Sequence, residues 1–289
     1  MAIVQNSARP ALRPALLRSL TVILFCVWAA GLRAQDAAPD TARWLRTLPV
    51  KAIFATADNL LNLYVITPEN AVEKYAPDGR RLARYTNNRL GRASRLDASN
   101  PLKVLVWYAD FRTAVFLDRS LTALGELNLI DAGYPEVRTV AAAQDGNLWI
   151  YDEVNFRLLK IDPATTEGSK RYESQDLNLL QPAPARPAFL QEYNDRVYMA
   201  DSTRGIFIFD LFAQFERLMV PLYPVKEFQV IDNQVHYIAG NKIVREHLAV
   251  RTDRETLLPD AATRGKTVML SQGGVLILGE AGLEQYVYR

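Results

Sequence analysis

The stretch "DGNLWIYDEVNFRLLKID", at residues 145–162, contains a complete β-hairpin. Asp145-Gly146 is a strong turn signal. Two short runs rich in apolar, β-branched and aromatic residues follow, and a polar cluster from Asp152 to Arg157 separates them. Runs of this length and composition are typical of strands, so the stretch predicts two antiparallel strands joined at the polar cluster.

Five other segments repeat this layout, which makes the hairpin one unit of a repeat. The second apolar run of each unit ends at Tyr75, Leu117, Ile161, Phe209, His247 and Tyr286, at steps of 38 to 48 residues. An apolar segment precedes each hairpin, and a more polar strand follows most of them. Six units of four strands are the pattern of a β-propeller.

We therefore predict an all-β fold, a six-bladed β-propeller of four-stranded antiparallel blades over residues 35–289. The sixth unit reaches Arg289 after only three strands, whereas residues 41–48 resemble the other outer strands. An N-terminal strand that joins the last blade would close the ring and remove its open edges. The predicted blades span about 50–86, 93–130, 136–174, 186–221, 226–258, and 265–289 together with 41–48.

The third unit resembles the NHL repeat. Gln144 to Asp152, followed by Asn155 and Arg157, has that family's Gly turn, apolar strand and spaced Asp, Asn and Arg. The second and fourth units keep an Asp and an Arg, whereas the first, fifth and sixth have lost the pair. The resemblance implies a six-bladed propeller, and it implies little about function because such propellers include enzymes, scaffolds and sensors.

The polar residues at the hairpin turns are the candidate binding residues: Asp110, Arg112, Asp152, Asn155, Arg157, Asp201 and Arg204. An Asp carboxylate can accept hydrogen bonds from turn amides, and an Arg can reach that carboxylate or the next turn. Because the pairs recur at equivalent positions, we interpret them as structural fastenings of the turns. A polar rim around one channel mouth is the alternative.

The N-terminus predicts export. Three arginines precede an uncharged run at residues 20–32, and a small residue, Ala34, ends the segment, which is the layout of a secretory signal peptide. We expect residues 1–34 to be cleaved, and the segment to act as a membrane anchor only if it is retained. Cys26 would leave with it, so disulfides would not stabilise the mature protein.

Cleavage would also change the charge balance. Residues 1–34 contain four arginines and no acidic residue, so the mature chain would have 34 − 4 = 30 basic and 32 acidic residues, a net charge of −2. This balance disfavours a nucleic-acid partner. We expect a monomeric propeller in the periplasm or the extracellular space of a bacterium, with a protein partner in the cell envelope.

No catalytic residue, metal ligand or cofactor is predicted, because the nucleophile-elbow, phosphate-loop and zinc motifs are missing. The two histidines, His236 and His247, would lie on one face of a hairpin, and we interpret them as a packed or surface pair. Calcium-binding propellers use channel carboxylates, for which the candidates are Asp97, Asp145 and Asp232. Each of these is also explained by a turn after the first strand of its blade.

Three functions remain open from the sequence. The first is a non-catalytic interaction or scaffold module of the cell envelope, which we favour. The second is a calcium-dependent hydrolase or lactonase, and the third is a sensor of small ligands or glycans that uses exposed aromatics such as Tyr108 and Phe111. A run of arginines from Arg80 to Arg95 is interpreted as a solvated sheet edge, with a basic binding patch as the alternative.

Overall fold

The structure is a computed structural model that describes residues 40–165, 169–259, 267–271 and 274–288. The predicted signal peptide, residues 1–34, lies outside the described residues. Within them the helical segments are two 3-10 turns, Ala109–Phe111 and Leu177–Leu179. In this part of the chain no helix is long and apolar enough to cross a membrane.

The remaining elements are strands, in agreement with the predicted all-β class. In chain order they are β1 (Arg43–Leu48), β2 (Phe54–Ala57), β3 (Leu63–Ile66), β4 (Ala71–Tyr75), β5 (Arg81–Thr86), β6 (Arg95–Asp97), β7 (Val104–Tyr108), β8 (Thr113–Leu117), β9 (Ala123–Asn128), β10 (Val137–Ala142), β11 (Leu148–Asp152), β12 (Arg157–Asp162), β13 (Ser169–Glu173), β14 (Pro187–Tyr193), β15 (Arg196–Asp201), β16 (Gly205–Asp210), β17 (Phe215–Met219), β18 (Phe228–Ile231), β19 (Gln234–Ala239), β20 (Lys242–His247), β21 (Asp253–Leu257), β22 (Thr267–Ser271), β23 (Gly274–Gly279) and β24 (Gly282–Val287).

These strands form six four-stranded antiparallel sheets, which confirms the predicted six-bladed propeller. Blades 1 to 5 are β2–β5, β6–β9, β10–β13, β14–β17 and β18–β21, and blade 6 has the order β22-β23-β24-β1. Because neighbouring strands are antiparallel, alternate turns lie at opposite ends of the ring. We call the end where each first strand begins the entry face, and the opposite end the exit face. The turns between second and third strands therefore lie on the entry face.

One apolar cluster lies between each pair of neighbouring blades, which explains why the inner strands are apolar on both sides. Between blades 1 and 2, for example, Tyr64 and Val72 pack against Leu96, Val106 and Tyr108. Tyr108 is thus fully buried. Our expectation that it is an exposed aromatic for ligand binding is wrong, because the alternation of β7 points it into the neighbouring blade.

The ring closes as predicted, through a strand from the N-terminal end. β1 pairs with β24 from Arg43 opposite Val287 to Leu48 opposite Leu283. The buried Leu48 joins the apolar cluster between blades 6 and 1. The residues just before β1 also reach blade 5, where Ala42 N donates to Leu257 O at 2.9 Å.

Trp44 and Leu45 of the closing strand do not bury apolar surface at this joint, since both side chains are exposed. A bulge between Trp44 and Arg46 interrupts the alternation of β1. The outer strands of blades 1 to 3 are largely exposed on both faces as well. Outer strands lie on the circumference, where neighbouring blades have diverged, so Ala42 and Leu48 provide the apolar contacts of the closing strand.

Removal of the closing strand should open the ring. A protein that begins at Pro49 loses the burial of Leu48, worth about 2 kcal/mol, and the hydrogen bonds that pair β1 with β24. We expect its free energy of unfolding to fall by about 3 kcal/mol or more relative to a protein that begins at Asp40. The exposed edge of β24 should also promote association. Denaturant titration and light scattering measure both effects, and identical behaviour of the two proteins would contradict the closure.

Candidate functional site

The turn between β11 and β12 is organised by Asp152. One oxygen of its buried carboxylate accepts hydrogen bonds from the amides of Val154 at 2.9 Å and Asn155 at 3.4 Å. The other oxygen accepts from Asn155 Nδ2 at 2.7 Å. We expected that Arg157 could bond to this carboxylate, but it does not. The Arg157 guanidinium instead pairs with Glu173 of β13 at 2.7 Å, because β12 lies between β11 and β13 and the Arg157 side chain extends towards the outer strand.

Asp201 plays the same part in blade 4 and also holds the connection that enters the blade. One oxygen accepts from Thr203 N at 2.8 Å and from Arg204 N at 3.2 Å, and the other accepts from Arg186 N at 2.6 Å. Burial alone would raise the pKa of Asp201, but these hydrogen bonds lower it below its ordinary value. Arg204 contributes its backbone amide to this turn.

In blade 2 the polar pair is not joined. The 3-10 turn at Ala109–Phe111 places Arg112 in the left-handed region at φ 49°, and its guanidinium donates to Ala109 O. The Arg112 carbonyl accepts from Leu129 N of the next connection at 2.8 Å. Asp110 makes no bond with Arg112. The predicted residues of blades 2, 3 and 4 thus lie on the same face but are bonded within their own turns and connections, and the structure does not gather them into one site.

Two of the three carboxylates considered for calcium, Asp97 and Asp145, are engaged in turns and blade contacts, and Asp232 lies in the turn between β18 and β19. Asp97 accepts from Ser99 N and from Ala142 N of the next blade, both at 2.9 Å. Asp145 pairs with the buried Lys160 at 2.7 Å. Among the described residues, no three His, Cys, Asp or Glu side chains come close enough together to hold a metal ion. The absence of a metal site remains a prediction.

The channel contains the side chain of Arg95, which we expected on a solvated sheet edge. Arg95 begins β6 on the entry face, and its guanidinium carbon lies 4.3 Å from the ring centre of Phe189 in blade 4. It also lies 5.9 Å from the ring of Phe54 in blade 1, and Nη1 is 3.4 Å from Glu227, just before β18. The interpretation of Arg95 as part of a solvated edge is therefore wrong. Arg81 and Arg84, by contrast, do lie on the outer strand of blade 1 and pair with Glu73.

A sequence signal for Arg95 existed. The segment 94–97 was predicted as the first strand of its blade, and the corresponding strands of blades 1 and 5 begin with Phe54 and Phe228. In blade 2 a charged residue therefore occupies the position at which blades 1 and 5 have an aromatic ring. This difference indicates a role that is specific to blade 2.

The two histidines lie away from this mouth, toward the exit face. His236 is buried between blades 5 and 6 and shares a hydrogen bond of 2.9 Å with the Tyr288 hydroxyl. Arg245 lies beside it and bonds to Thr256 and Asp40. His247 Nδ1 accepts from Ala249 N and Val250 N in the turn after β20. The prediction that the histidines are structural agrees with these contacts.

Solved structures share this fold. A streptogramin B lyase structure aligns over 86% of both chains with 13% identity and a TM-score of 0.55. Virginiamycin B lyase from Staphylococcus aureus, solved as a catalytically inactive histidine-to-alanine variant with quinupristin, aligns over 86% of this chain and 98% of its own, with 12% identity and a TM-score of 0.57. The selenomethionine form of that lyase gives 14% identity and a TM-score of 0.54, over 86% of this chain and 89% of its own.

This chain folds as a six-bladed β-propeller. At such identities the likeness shows the fold alone. No protein-family model and no curated protein sequence matches the chain. The six-bladed architecture is confirmed, whereas the resemblance to the NHL repeat stays a prediction.

The contacts of Asp152 and Arg157 predict unequal and independent effects on stability. Asp152→Ala leaves the turn amides without their acceptor and should lower the free energy of unfolding by about 1–3 kcal/mol. Arg157→Ala removes a partly exposed ion pair and should cost about 1 kcal/mol or less. Because the residues have different partners, the double variant should equal the sum of the two. Chemical denaturation measures all three, and strong non-additivity would show a direct coupling.

The His236 contact predicts a stability that depends on pH. Burial, and then the nearby Arg245, lower the pKa of His236 from 6.5 to about 4. The unfolded chain binds the proton first, so this stability is complete above pH 6.5 and is lost as the pH falls towards 4, by about 3 kcal/mol. His236→Gln keeps a polar partner for Tyr288 without the titration. When the pH is lowered from about 7.5 to 4, the free energy of unfolding of the variant should fall by about 3 kcal/mol less than that of the parent protein. Equal decreases in the two proteins would contradict the assignment.

Proposed function

We propose that this chain is an exported, non-catalytic β-propeller that binds a protein partner of the cell envelope through one half of its entry face. The observation that carries the proposal is the distribution of exposed apolar side chains. Contiguous exposed apolar surface on a soluble protein marks interaction sites. The signal-like N-terminal segment supports the exported location.

The entry face is the richer of the two in such side chains. Within the described residues it exposes eight large hydrophobic side chains: Ile53, Phe111, Ile130, Val154, Phe156, Leu179, Val220 and Leu222. The exit face exposes five: Leu60, Leu61, Leu102, Phe212 and Val250. All of the entry-face set except Ile53 belong to blades 2 to 4 and the connections that follow them. The exposed apolar side chains of the entry face thus lie in about half of the ring.

Phe156 is the most informative member of this set. It ends the turn between β11 and β12 with φ 53°, a left-handed conformation that a bulky side chain rarely adopts. Gly or Asn would fit this position with less strain. Its ring is more than one-third exposed, so burial in the core does not explain why an aromatic residue stands there. Leu61, Leu121 and Ala213 adopt the same conformation on the exit face, so the exposure of Phe156 on the entry face, rather than its φ alone, supports the proposal.

The connections that enter and leave blade 3 add to the same half of the entry face. The 3-10 turn at Leu177–Leu179 is tied to the strained position, since Leu177 N donates to Phe156 O at 2.9 Å. Leu177 is buried, whereas Leu179 points outward and is largely exposed. A buried leucine thus anchors the loop that presents an exposed one, which holds the apolar surface in a fixed geometry before binding.

The hydrolase alternative receives less support from the contacts. The channel carboxylate Asp97 and the turn carboxylate Asp145 are each committed to a protein partner. The virginiamycin B lyase variant that lacks a histidine is catalytically inactive. In this chain both histidines bond to groups of the protein itself, His236 to Tyr288 and His247 to the turn that follows it. These contacts favour binding over catalysis.

A pair of matched variants separates binding from folding. Leu61 on the exit face is also exposed and has φ 62°, so Leu61→Asn is the control for Phe156→Asn. Asn tolerates this conformation, so both changes should leave the free energy of unfolding unchanged or raise it by about 1 kcal/mol. We expect immobilised parent and Leu61→Asn proteins to retain the same stoichiometric partner from a cell-envelope extract, and Phe156→Asn to retain much less.

Quantitative mass spectrometry of the retained proteins reads the result. Equal retention by all three proteins, or loss with the exit-face variant alone, would contradict the proposed face. Turnover of lactones or esters that disappears with a calcium chelator would instead support the hydrolase.

A further inference from the structure

Arg95 occupies a position in which an unpaired arginine would be unfavourable. It extends from blade 2 across the channel mouth and contacts the rings of Phe54 and Phe189 and the carboxylate of Glu227, which belong to three other blades. Four-fifths of its side chain is buried, and burial lowers its pKa despite the attraction of Glu227. The channel therefore holds a positive charge that water solvates poorly.

The hydrogen bonds of Arg95 are few for such a buried group. A guanidinium has five N–H donors in one plane. Within the described residues the side chain has one acceptor, Glu227 Oε1, at the long distance of 3.4 Å. Glu227 is more than half exposed, so it is a weakly held partner. A buried cation with incomplete pairing is costly to the fold, and an added anion would offset that cost.

The space beside Arg95 is large enough for a small ligand. A cavity of about 90 Å³ is enclosed by the first strands of all six blades. Its wall combines apolar side chains, among them Phe228 and Leu270, with polar ones such as Thr56 and Gln229. The Gln229 Oε1 atom is buried and has no hydrogen-bond partner in the described residues. The cavity thus offers a cation and an apolar surface, and the two carboxylates in its wall, Asp97 and Glu227, are already bonded to protein groups.

We propose that the channel mouth binds the carboxylate of a small organic acid, and that Arg95 is the residue that binds it. The guanidinium carbon lies 4.3 Å from the ring centre of Phe189 and 5.9 Å from that of Phe54. A guanidinium can donate two parallel hydrogen bonds to a planar carboxylate. The apolar wall would contact a short hydrocarbon chain. Glu227 competes for the same N–H groups, and the ligand replaces it.

Short monocarboxylates are the probes. Acetate, propionate and butyrate, as sodium salts at constant ionic strength, should raise the melting temperature of the full mature protein in a saturable manner, whereas chloride and methylammonium should not. Affinity should increase from acetate to butyrate as apolar contact grows. Isothermal titration calorimetry gives the dissociation constants.

Four variants locate the site. Arg95→Lys should weaken binding by at least about tenfold because a lysine lacks the planar pair of donors, and Arg95→Gln should abolish it. Arg92→Gln changes an exposed arginine on the same connection and should bind like the parent. Glu227→Gln removes the competitor and should strengthen binding several-fold. This last variant keeps Arg95 in place and tests the proposal even if the Arg95 variants fold poorly.

The outcomes are distinct from those of the partner experiment. Absence of a saturable response to every acid, an unchanged affinity in Arg95→Gln, or a weaker affinity in Glu227→Gln would each overturn the proposal. Binding that persists in Phe156→Asn but is lost in Arg95→Gln would support a channel site independent of the protein-binding face.

Discussion

The segment from Asp40 to Leu48 is the contact on which the whole ring depends. It pairs with β24 in blade 6, and it also bonds to blade 5, where Leu257 N donates to Asp40 O at 2.7 Å. One short segment therefore connects the last two blades. Without it blade 6 would have three strands and an open edge. At the interfaces between blades 1 to 5 the sheets are each complete in themselves, and polar contacts such as that of Glu192 with Trp149 add to the apolar clusters.

A polar network runs through this joint. The Asp40 carboxylate bonds to Arg245 and Thr256, and Arg245 lies over the ring of Tyr288, which bonds to His236. A buried polar network gives a defined geometry where it is fully bonded, at a cost in desolvation. The network positions the closing segment, and Arg245 Nε is left without a hydrogen-bond partner among the described residues. Because His236 bonds to Tyr288 in this network, we expect the stability of the joint to depend on the protonation of His236.

The sequence predicted the architecture better than the site, for a physical reason. Strand composition, turn signals and a repeat of about forty residues are local features, so the six blades and the closing strand were predictable. The partners of Arg157 and Arg95 depend on which strands and blades come to lie side by side. The packing of Tyr108, and the exposure of Trp44 at a bulge, depend likewise on the neighbouring blades and on the local register. Such contacts are tertiary, and residue spacing alone does not contain them.

One turn type recurs around the ring, and most of its aspartates lie on the exit face. Seven aspartates on exit-face turns accept a hydrogen bond from the amide two residues later: Asp58, Asp78, Asp97, Asp118, Asp145, Asp162 and Asp210. These turns have one repeated solution, in which a side chain supplies the acceptor that the turn lacks. A repeated solution serves the fold and distinguishes no blade from another.

On the entry face the same bond recurs at Asp152, Asp176 and Asp201. Left-handed non-glycine residues also occur on both faces, Phe156 on the entry face and Leu61, Leu121 and Ala213 on the exit face. The channel mouth of the entry face is distinct because it holds Arg95, whereas the first strands of the other blades begin with an uncharged residue. A residue that departs from the repeat pattern lowers the stability of the fold. Such residues are retained where they have a role other than folding. Arg95 lies at the mouth on the face with the larger set of exposed apolar side chains. For this reason we propose that the entry face carries the specific function.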